Sequence, residues 1–548
     1  MTNAATETAP PPTKAPDSAP GPRLVIDSLA VKLGQDALRL QAPLTLRAGK
    51  LYVLWGPSGS GKSSFARALL GLGELSQPRA EVSGEATLFD ALTLEHPLWR
   101  GNAYSPQARE QIAFLPQAEK LGFIDGLSTA ENLRLFSRLP AKDALVQADL
   151  LAARFHLMGL PKNLSRASGG ERMRLSAVRA LMPRVAGEAP AMLIADEPTA
   201  GLDTVAAHTL ARELVSLARR KDCIVVIITH DPAIFTGQEP PEVDRAANAK
   251  TVRVLECGLG EGDVCPIERE AGQLRIEPGR PESEYVAAAK QGVMEFLALL
   301  GGLVLAPLAL LLGLARIKRP LFVAKQTLAD ALGPGTQLFS WLGSLLIAGT
   351  VAYFIFMQLP RPELVEPLLI SDILEATGHT LARVVLPLGA AAFITGKLGA
   401  AQAARLSSSV RSGLLETLAL ARWPAESFGL VSAVLAQTLA MALATGLALS
   451  FGMILASLIY VAGHEGASLG LALDLMKQGL AKTPTWWDFL IAKVLVSGFV
   501  GGSIAALFGL APATSENDVA KAVHRTLLWG ILGVIATQCI FIIWEFAK

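Results

Sequence analysis

The sequence predicts two architectures in one chain. The first half reads as an α/β domain on a parallel sheet, the second as an all-α polytopic membrane domain. Three observations predict this. Residues 1–289 hold 32 basic and 34 acidic side chains, and residues 290–548 only 17 and 14. The charged share thus falls from about 23% to about 12%, against about 25% in ordinary soluble domains. Next, LYVLW (51–55), MLIAD (192–196) and IVVIIT (224–229) are short Val/Ile/Leu-rich runs, each ending at a polar or Gly-rich turn. Buried parallel strands have this pattern. Last, apolar stretches recur at 296–314, 338–358, 378–398, 427–461, 488–510 and 526–544. Each is long enough to cross a bilayer at about 20 residues per crossing.

Composition also excludes functions. Hydrophobic residues make up 51% of the 548, and the 49 basic and 48 acidic residues leave a net charge of +1. That balance lacks the basic excess that nucleic-acid binding requires, so no nucleic-acid partner is expected. Four scattered cysteines (Cys223, Cys257, Cys265, Cys539) are too few for a disulfide scaffold and read as reduced thiols. Residues 1–22 are rich in Pro, Ala and Thr and have no apolar core, so they read as a disordered tail rather than a secretory signal. The N-terminus is therefore expected in the cytosol.

The most informative motif is GPSGSGKS: Gly56, Pro57, Ser58, Gly59, Ser60, Gly61, Lys62 and Ser63, with Ser64 following. It fits G-x-x-x-x-G-K-[ST] directly after a strand. Glycines there let backbone N–H groups wrap phosphate oxygens, Lys62 neutralises the β/γ charge and Ser63 ligates Mg²⁺. ATP and Mg²⁺ are the expected cofactors. Asp196 ends the MLIAD strand, where it can hold Mg²⁺, and the adjacent Glu197 can orient or deprotonate water. Gln117 follows the short strand in IAFLPQ, and His230 ends a third. Ser168, Gly169, Gly170 and Glu171 precede the helical run RMRLSAVRALM, an arrangement that can bind an anion. The remaining histidines (His96, His156, His208, His379, His464, His524) are unclustered and read as structural or solvated.

These motifs, in this order, resemble the ATP-binding cassette (ABC) ATPases over residues 23–234. The resemblance implies an α/β P-loop ABC ATPase domain and two nucleotides sandwiched between two cassettes, hence a homodimer. Each nucleotide would lie on one chain's Gly56–Ser63 loop and face the other chain's Ser168–Glu171. Gln117 would be the lid residue touching Mg²⁺ and the membrane domain, Glu197 the general base and His230 the γ-phosphate switch. Asp203, in AGLD, would cross the dimer interface. The sequence departs from the family in two places. Ala167 and Glu171 bracket the signature where Leu and Gln are usual. Leu33, in LAVKLG, stands where an adenine-stacking aromatic is usual, which implies weaker stacking.

The second half has its own logic. If 296–314 crossed the membrane, Arg316, Lys318 and Arg319 would lie outside, against the positive-inside tendency. The stretch also carries Gly301, Gly302 and Pro307. Residues 286–330 therefore read as an interfacial or re-entrant elbow, followed by about five spans with the C-terminus outside. From about 330 to 546 the chain resembles the MlaE-type permeases of bacterial lipid transporters, most strongly at 381–424 and 486–510. The expected organisation is a tail (1–22), an ABC ATPase domain (23–257), a linker (258–285), an elbow (286–330) and an MlaE-like permease domain (331–548).

This second resemblance implies a bacterial inner-membrane transporter of phospholipid or a related lipid. It also implies a separate periplasmic partner with an MCE domain, because the loops between spans are too short to hold a carrier. Val384 stands where the family has Glu beside Arg383, Lys397 replaces Arg, and Arg405 stands where Glu is common, while Glu416 keeps an acid. Arg383, Arg405 and Glu416 are the candidate lipid or coupling contacts. Arg383 and His379 read either as head-group or dimer contacts, or as side chains snorkelling at the outer interface. Two other readings stay open: a transporter of lipoprotein or another amphiphile, and a membrane ATPase that regulates a periplasmic partner without transport.

Overall fold

The structure is a computed structural model of the chain. It describes residues 21–547 apart from 76–79, 118–119, 138, 162–163, 165–166, 183–189, 239–250, 259–263, 278–283, 359–366 and 483–484. Most of the expected N-terminal tail thus lies outside the described residues. The chain divides into two compact units, Met1–Leu121 with Ser128–Arg280, and Gly122–Leu127 with Pro281–Lys548.

Among the described residues the first unit is built on a twelve-stranded sheet. Its centre is parallel: Leu51–Trp55, Ile224–Ile228, Met192–Asp196 and Ile112–Leu115 are neighbours in that order. Nearly all their side chains are buried, which is why these runs are continuously apolar rather than alternating. Each strand delivers a candidate residue just past its carboxyl end, where open α/β sheets bind ligands.

On its other side Leu51–Trp55 pairs antiparallel with Thr251–Cys257, then come Ile267–Glu277 and Asp36–Leu40. This corrects the expected linker at 258–285, because Ile267–Glu277 lies within it as an integral strand. Its burial pattern explains the error. Leu274 and Ile276 are buried, whereas Glu268, Arg269, Glu270, Arg275 and Glu277 lie on the exposed or partly exposed side. A half-solvated antiparallel strand is polar enough to read as linker.

Six helical segments among the described residues of the second unit are long and apolar enough to cross a membrane: Leu297–Ala315, Pro320–Met357, Ser371–Arg411, Glu426–Gly463, Trp486–Gly509 and Glu516–Phe546. That is one more than the five expected. Glu284–Ala315 runs as one helix through Pro307, so neither that proline nor the glycine pair breaks it. Its packing is confined, however. A Cβ at Gly302 would meet Leu507 at 2.9 Å, and one at Gly313 would meet Val431 at 2.8 Å. Leu507 closes one span and Val431 opens another, so both contacts lie at the same end of the bundle.

Ser371–Arg411 and Glu516–Phe546 run antiparallel and are tied near both ends. Arg383 pairs with Glu545, and Arg411 with Glu516 at 3.2 Å. At 1.5 Å rise per residue, Arg383 and Arg411 are roughly 40 Å apart along the helix. That approaches the thickness of a bilayer with its headgroups, about 40–45 Å. At the Arg411 end the second unit takes in Gly122–Leu127, where the Gly122 N–H donates to Ser412 O at 2.7 Å.

At the Arg383 end lies a buried ion cluster. Arg383 Nε donates to Glu545, Lys493 Nζ donates to Glu545 and to the Arg383 carbonyl (2.8 Å), and His379 Nε2 contacts the Arg383 guanidinium. Side-chain exposure is 5% for Arg383 and 1% for Lys493 and Glu545. Arg383 is therefore neither at an open cavity nor snorkelling in this chain. The acid missing at Val384 comes instead from Glu545. Glu545→Gln removes the only carboxylate in this cluster among the described residues. Breaking a buried pair costs about 3–5 kcal/mol, so the variant should unfold at a clearly lower temperature in lipid nanodiscs; an unchanged midpoint contradicts this account.

Arg405 is also internally held. It makes a bidentate pair with Asp330 at 2.6 and 2.7 Å, tying the span to the helix Pro320–Ala331. Glu416 sits half-buried in the first turn of the helix Leu414–Leu420.

Candidate nucleotide site

The loop after Leu51–Trp55 is shaped by its glycines. Gly59 (φ 77°) and Gly61 (φ 91°) take left-handed conformations that glycine adopts without strain. Gly61 caps the helix Lys62–Leu69, whose first N–H groups have no intrahelical partner and form an anion site. Lys62 Nζ donates to the carbonyls of Gly56 (2.8 Å) and Pro57 (3.0 Å) behind the loop. Burial pushes its pKa down, against the pull of Glu197 and Asp196.

A cavity of about 460 Å³ opens over this loop. Ser58 to Ser64, Gln117, Asp196, Glu197 and His230 all line it. The structure therefore brings together these candidate residues, up to 172 positions apart in sequence (Ser58 to His230). Ser63 Oγ donates to Asp196 Oδ1 at 3.2 Å. These are two hard oxygen donors of the kind Mg²⁺ takes. A further oxygen, Ser60 Oγ, is buried without a hydrogen-bond partner, and Glu197 Oε1 is buried beside His230. The donor set thus fits a magnesium-bound triphosphate: cations and N–H groups for the phosphates, oxygens for the metal, and a spare carboxylate beside them.

Glu197 is held in an uncommon conformation, with φ at 47°, and its N–H donates to Ile228 O at 2.8 Å. Non-glycine residues at positive φ cost energy and cluster at functional sites. His230 Nε2 lies 3.3 Å from Glu197 Oε1. Burial raises the Glu197 pKa above the ordinary glutamate value, with Asp196 adding to the rise and His230 and Lys62 opposing it.

Ser168–Glu171 and Asp203 are not among the residues lining this cavity. Ser168 caps the helix Gly169–Leu181: its Oγ accepts from the Glu171 N–H at 3.2 Å, and Glu171 accepts from the Ser168 N–H at 2.8 Å. This reciprocal box explains why Glu is acceptable in last place. A Cβ on Gly169 would meet nothing within 4 Å. Packing within the chain therefore does not demand glycine there, which leaves room for a group from outside. Asp203 caps the helix Thr204–Arg219 by accepting from the Ala206 N–H at 2.9 Å.

Asp36 and Ile276 also line the cavity and were not anticipated. With Leu33, Ile276 supplies an aliphatic wall, in line with the absence of an aromatic at that position in the sequence. Ile276 lies in the stretch read as linker, and only its alternation with Leu274 hinted at a strand.

Residues 41–200 match the family model described as ABC transporter. The chain is 32% identical over 215 residues to the hemin import ATP-binding protein HmuV of Pseudomonas aeruginosa, covering 38% of this chain and 77% of that protein. This chain belongs to the ABC transporter family. Residues 329–544 match the model described as permease MlaE, so an ABC ATPase domain and an MlaE permease domain share one polypeptide. The cassette is also similar to the lipoprotein-releasing system ATP-binding protein LolD of Novosphingobium aromaticivorans, at 31% identity over 34% of this chain and 79% of that one. A solved dimeric bacterial ABC transporter cassette, MJ0796, matches 39% of this chain and 89% of its own, with 21% identity and a TM-score of 0.31.

Proposed function

We propose that the chain forms a homodimer that uses ATP hydrolysis to move phospholipid, or a related apolar lipid, between the bacterial inner membrane and a periplasmic partner of the MCE type. The observation that carries this reading is the fusion of an ABC ATPase domain to an MlaE permease domain. The cassette alone does not choose the cargo, since similar cassettes are named for hemin import and for lipoprotein release.

In this reading Mg²⁺, held by Ser63 and Asp196 and touched by Gln117, would neutralise charge on the triphosphate. Glu197 deprotonates or orients the attacking water, Lys62 and the Gly59–Ser63 N–H groups hold the phosphates, and His230 senses the γ-phosphate. Ser168 to Glu171 complete the partner chain's site, and Asp203 lies near the dimer axis. The Ser412 end of the bundle faces the cytosol, because the segment Gly122–Leu127 joins it there. The Arg383 cluster and the C-terminus then face outward. With the Ser412 end inside, Leu297–Ala315 starts and finishes on the cytosolic side, and five of the six apolar segments cross. Arg405 and Glu416 belong to the cytosolic coupling region, and the buried Arg383–Glu545–Lys493 cluster braces the outer end of the bundle.

Extraction of lipid from the purified dimer tests the cargo. Phospholipid retained in stoichiometric amount through detergent exchange is the expected result; protein free of lipid, or carrying an acylated peptide instead, contradicts it.

A further inference from the structure

The helix that begins at Ser168 carries Arg179 in its last turn. Arg179 is only 2% exposed. Its Nη2 donates to the main-chain carbonyl of Leu121, and its guanidinium lies 5.1 Å from the centroid of the Phe136 ring. Burial lowers its pKa to about 9, which leaves it charged at neutral pH. A buried cation is costly, and an apolar side chain of that length would fill the same space. The guanidinium is thus more than packing: it reads the position of a backbone carbonyl.

That carbonyl matters because of what precedes it. Leu121 follows Gln117 by four residues, and the Lys120 N–H donates back to Gln117 O at 2.8 Å, closing a tight turn. Gln117 lines the nucleotide cavity. The Gln117 turn is therefore anchored through Leu121 and Arg179 to a helix whose other end is Ser168. An α-helix of thirteen residues moves as one body, so a displacement at either end is felt at the other.

We propose that Arg179 is a positioning residue that locks the Gln117 turn to the Ser168 helix, so that the approach of Gln117 to the metal and the presentation of Ser168 to the partner's nucleotide occur as one movement. This rests on the reading of Gln117 as a metal-touching residue. Arg179 acts through these two residues and touches no reacting atom.

The test uses the purified full-length protein in lipid nanodiscs. Arg179→Met keeps the length and removes the donors; Arg179→Lys keeps the charge and one route to the carbonyl. ATPase rate is measured against Mg²⁺ concentration and against ATP, with nucleotide affinity and thermal midpoint alongside. Arg179→Met should lower kcat at least tenfold and raise the half-saturating Mg²⁺ concentration several-fold, with nucleotide affinity within twofold of wild type. Arg179→Lys should recover part of both losses. Gln117→Ala should shift the Mg²⁺ dependence in the same direction. An Arg179→Met protein with wild-type kcat and Mg²⁺ dependence, beside a shifted Gln117→Ala, overturns the proposal alone. An Arg179→Met protein that loses nucleotide binding and unfolds early, with no recovery in Arg179→Lys, reduces Arg179 to core packing. A Gln117→Ala protein with unchanged Mg²⁺ dependence overturns the Gln117 reading and the proposal with it.

Discussion

Glu197→Gln should abolish ATP turnover while leaving nucleotide binding intact. The substitution removes a carboxylate but keeps its size, and it leaves the Ser63–Asp196 pair and Lys62 in place. General-base catalysis contributes about 10²–10⁴-fold, so a fall of at least about 100-fold is expected. Phosphate release and trapped nucleotide, measured on the same preparation, separate chemistry from binding. Because burial raises the Glu197 pKa, the wild-type rate should decline on acidification at a higher pH than a solvent-exposed glutamate would give. The sign follows from the role: a base must be ionised, and a raised pKa protonates it earlier as pH falls. Turnover near wild type in Glu197→Gln would remove the assignment.

Ser168→Arg should silence ATPase activity in a chain whose phosphate loop is intact. Ser168 is exposed at a helix N-terminus, and Gly169 beside it has open space in front. An arginine there would obstruct whatever approaches, and it also removes the Ser168 side-chain cap of the helix, at about 1 kcal/mol. Homodimers of Ser168→Arg or of Lys62→Ala carry a lesion in both composite sites. A mixed dimer of the two carries both lesions in one site and none in the other. In a two-fold symmetric dimer with independent sites it should regain about half the wild-type rate. Doubly tagged mixed dimers that bind ATP and hydrolyse none would contradict independent sites completed in trans.

Much of the nucleotide site was legible in sequence because its chemistry needs particular residue types at short spacings. Gly59 and Gly61 serve left-handed backbone, Lys62 and Ser63 open a helix, and Asp196 and Glu197 end a strand buried on both faces. What escaped depends on long-range pairing. Ile276 reaches the cavity only because Ile267–Glu277 joins the sheet between Thr251–Cys257 and Asp36–Leu40. Its exposed face is polar, so local composition pointed to a linker. In the membrane half, Arg383 was visible as a charge that needs a partner. Glu545, 162 residues away, and Lys493 could not be matched to it without the packing of three helices. Pro307 and the glycine pair counted toward a re-entrant elbow because a proline interior to a helix usually kinks or ends it, whereas Glu284–Ala315 runs through them as one helix.

The central claim is that this chain couples ATP hydrolysis to lipid movement, and one measurement addresses it most directly. The purified protein is reconstituted into liposomes whose inner leaflet carries a fluorescent phospholipid, and accessibility to an external quencher is followed after MgATP is added, with Glu197→Gln vesicles in parallel. The account predicts ATP-dependent redistribution in wild-type vesicles and none in Glu197→Gln vesicles. Hydrolysis at full rate with lipid distribution identical in the two preparations would contradict it.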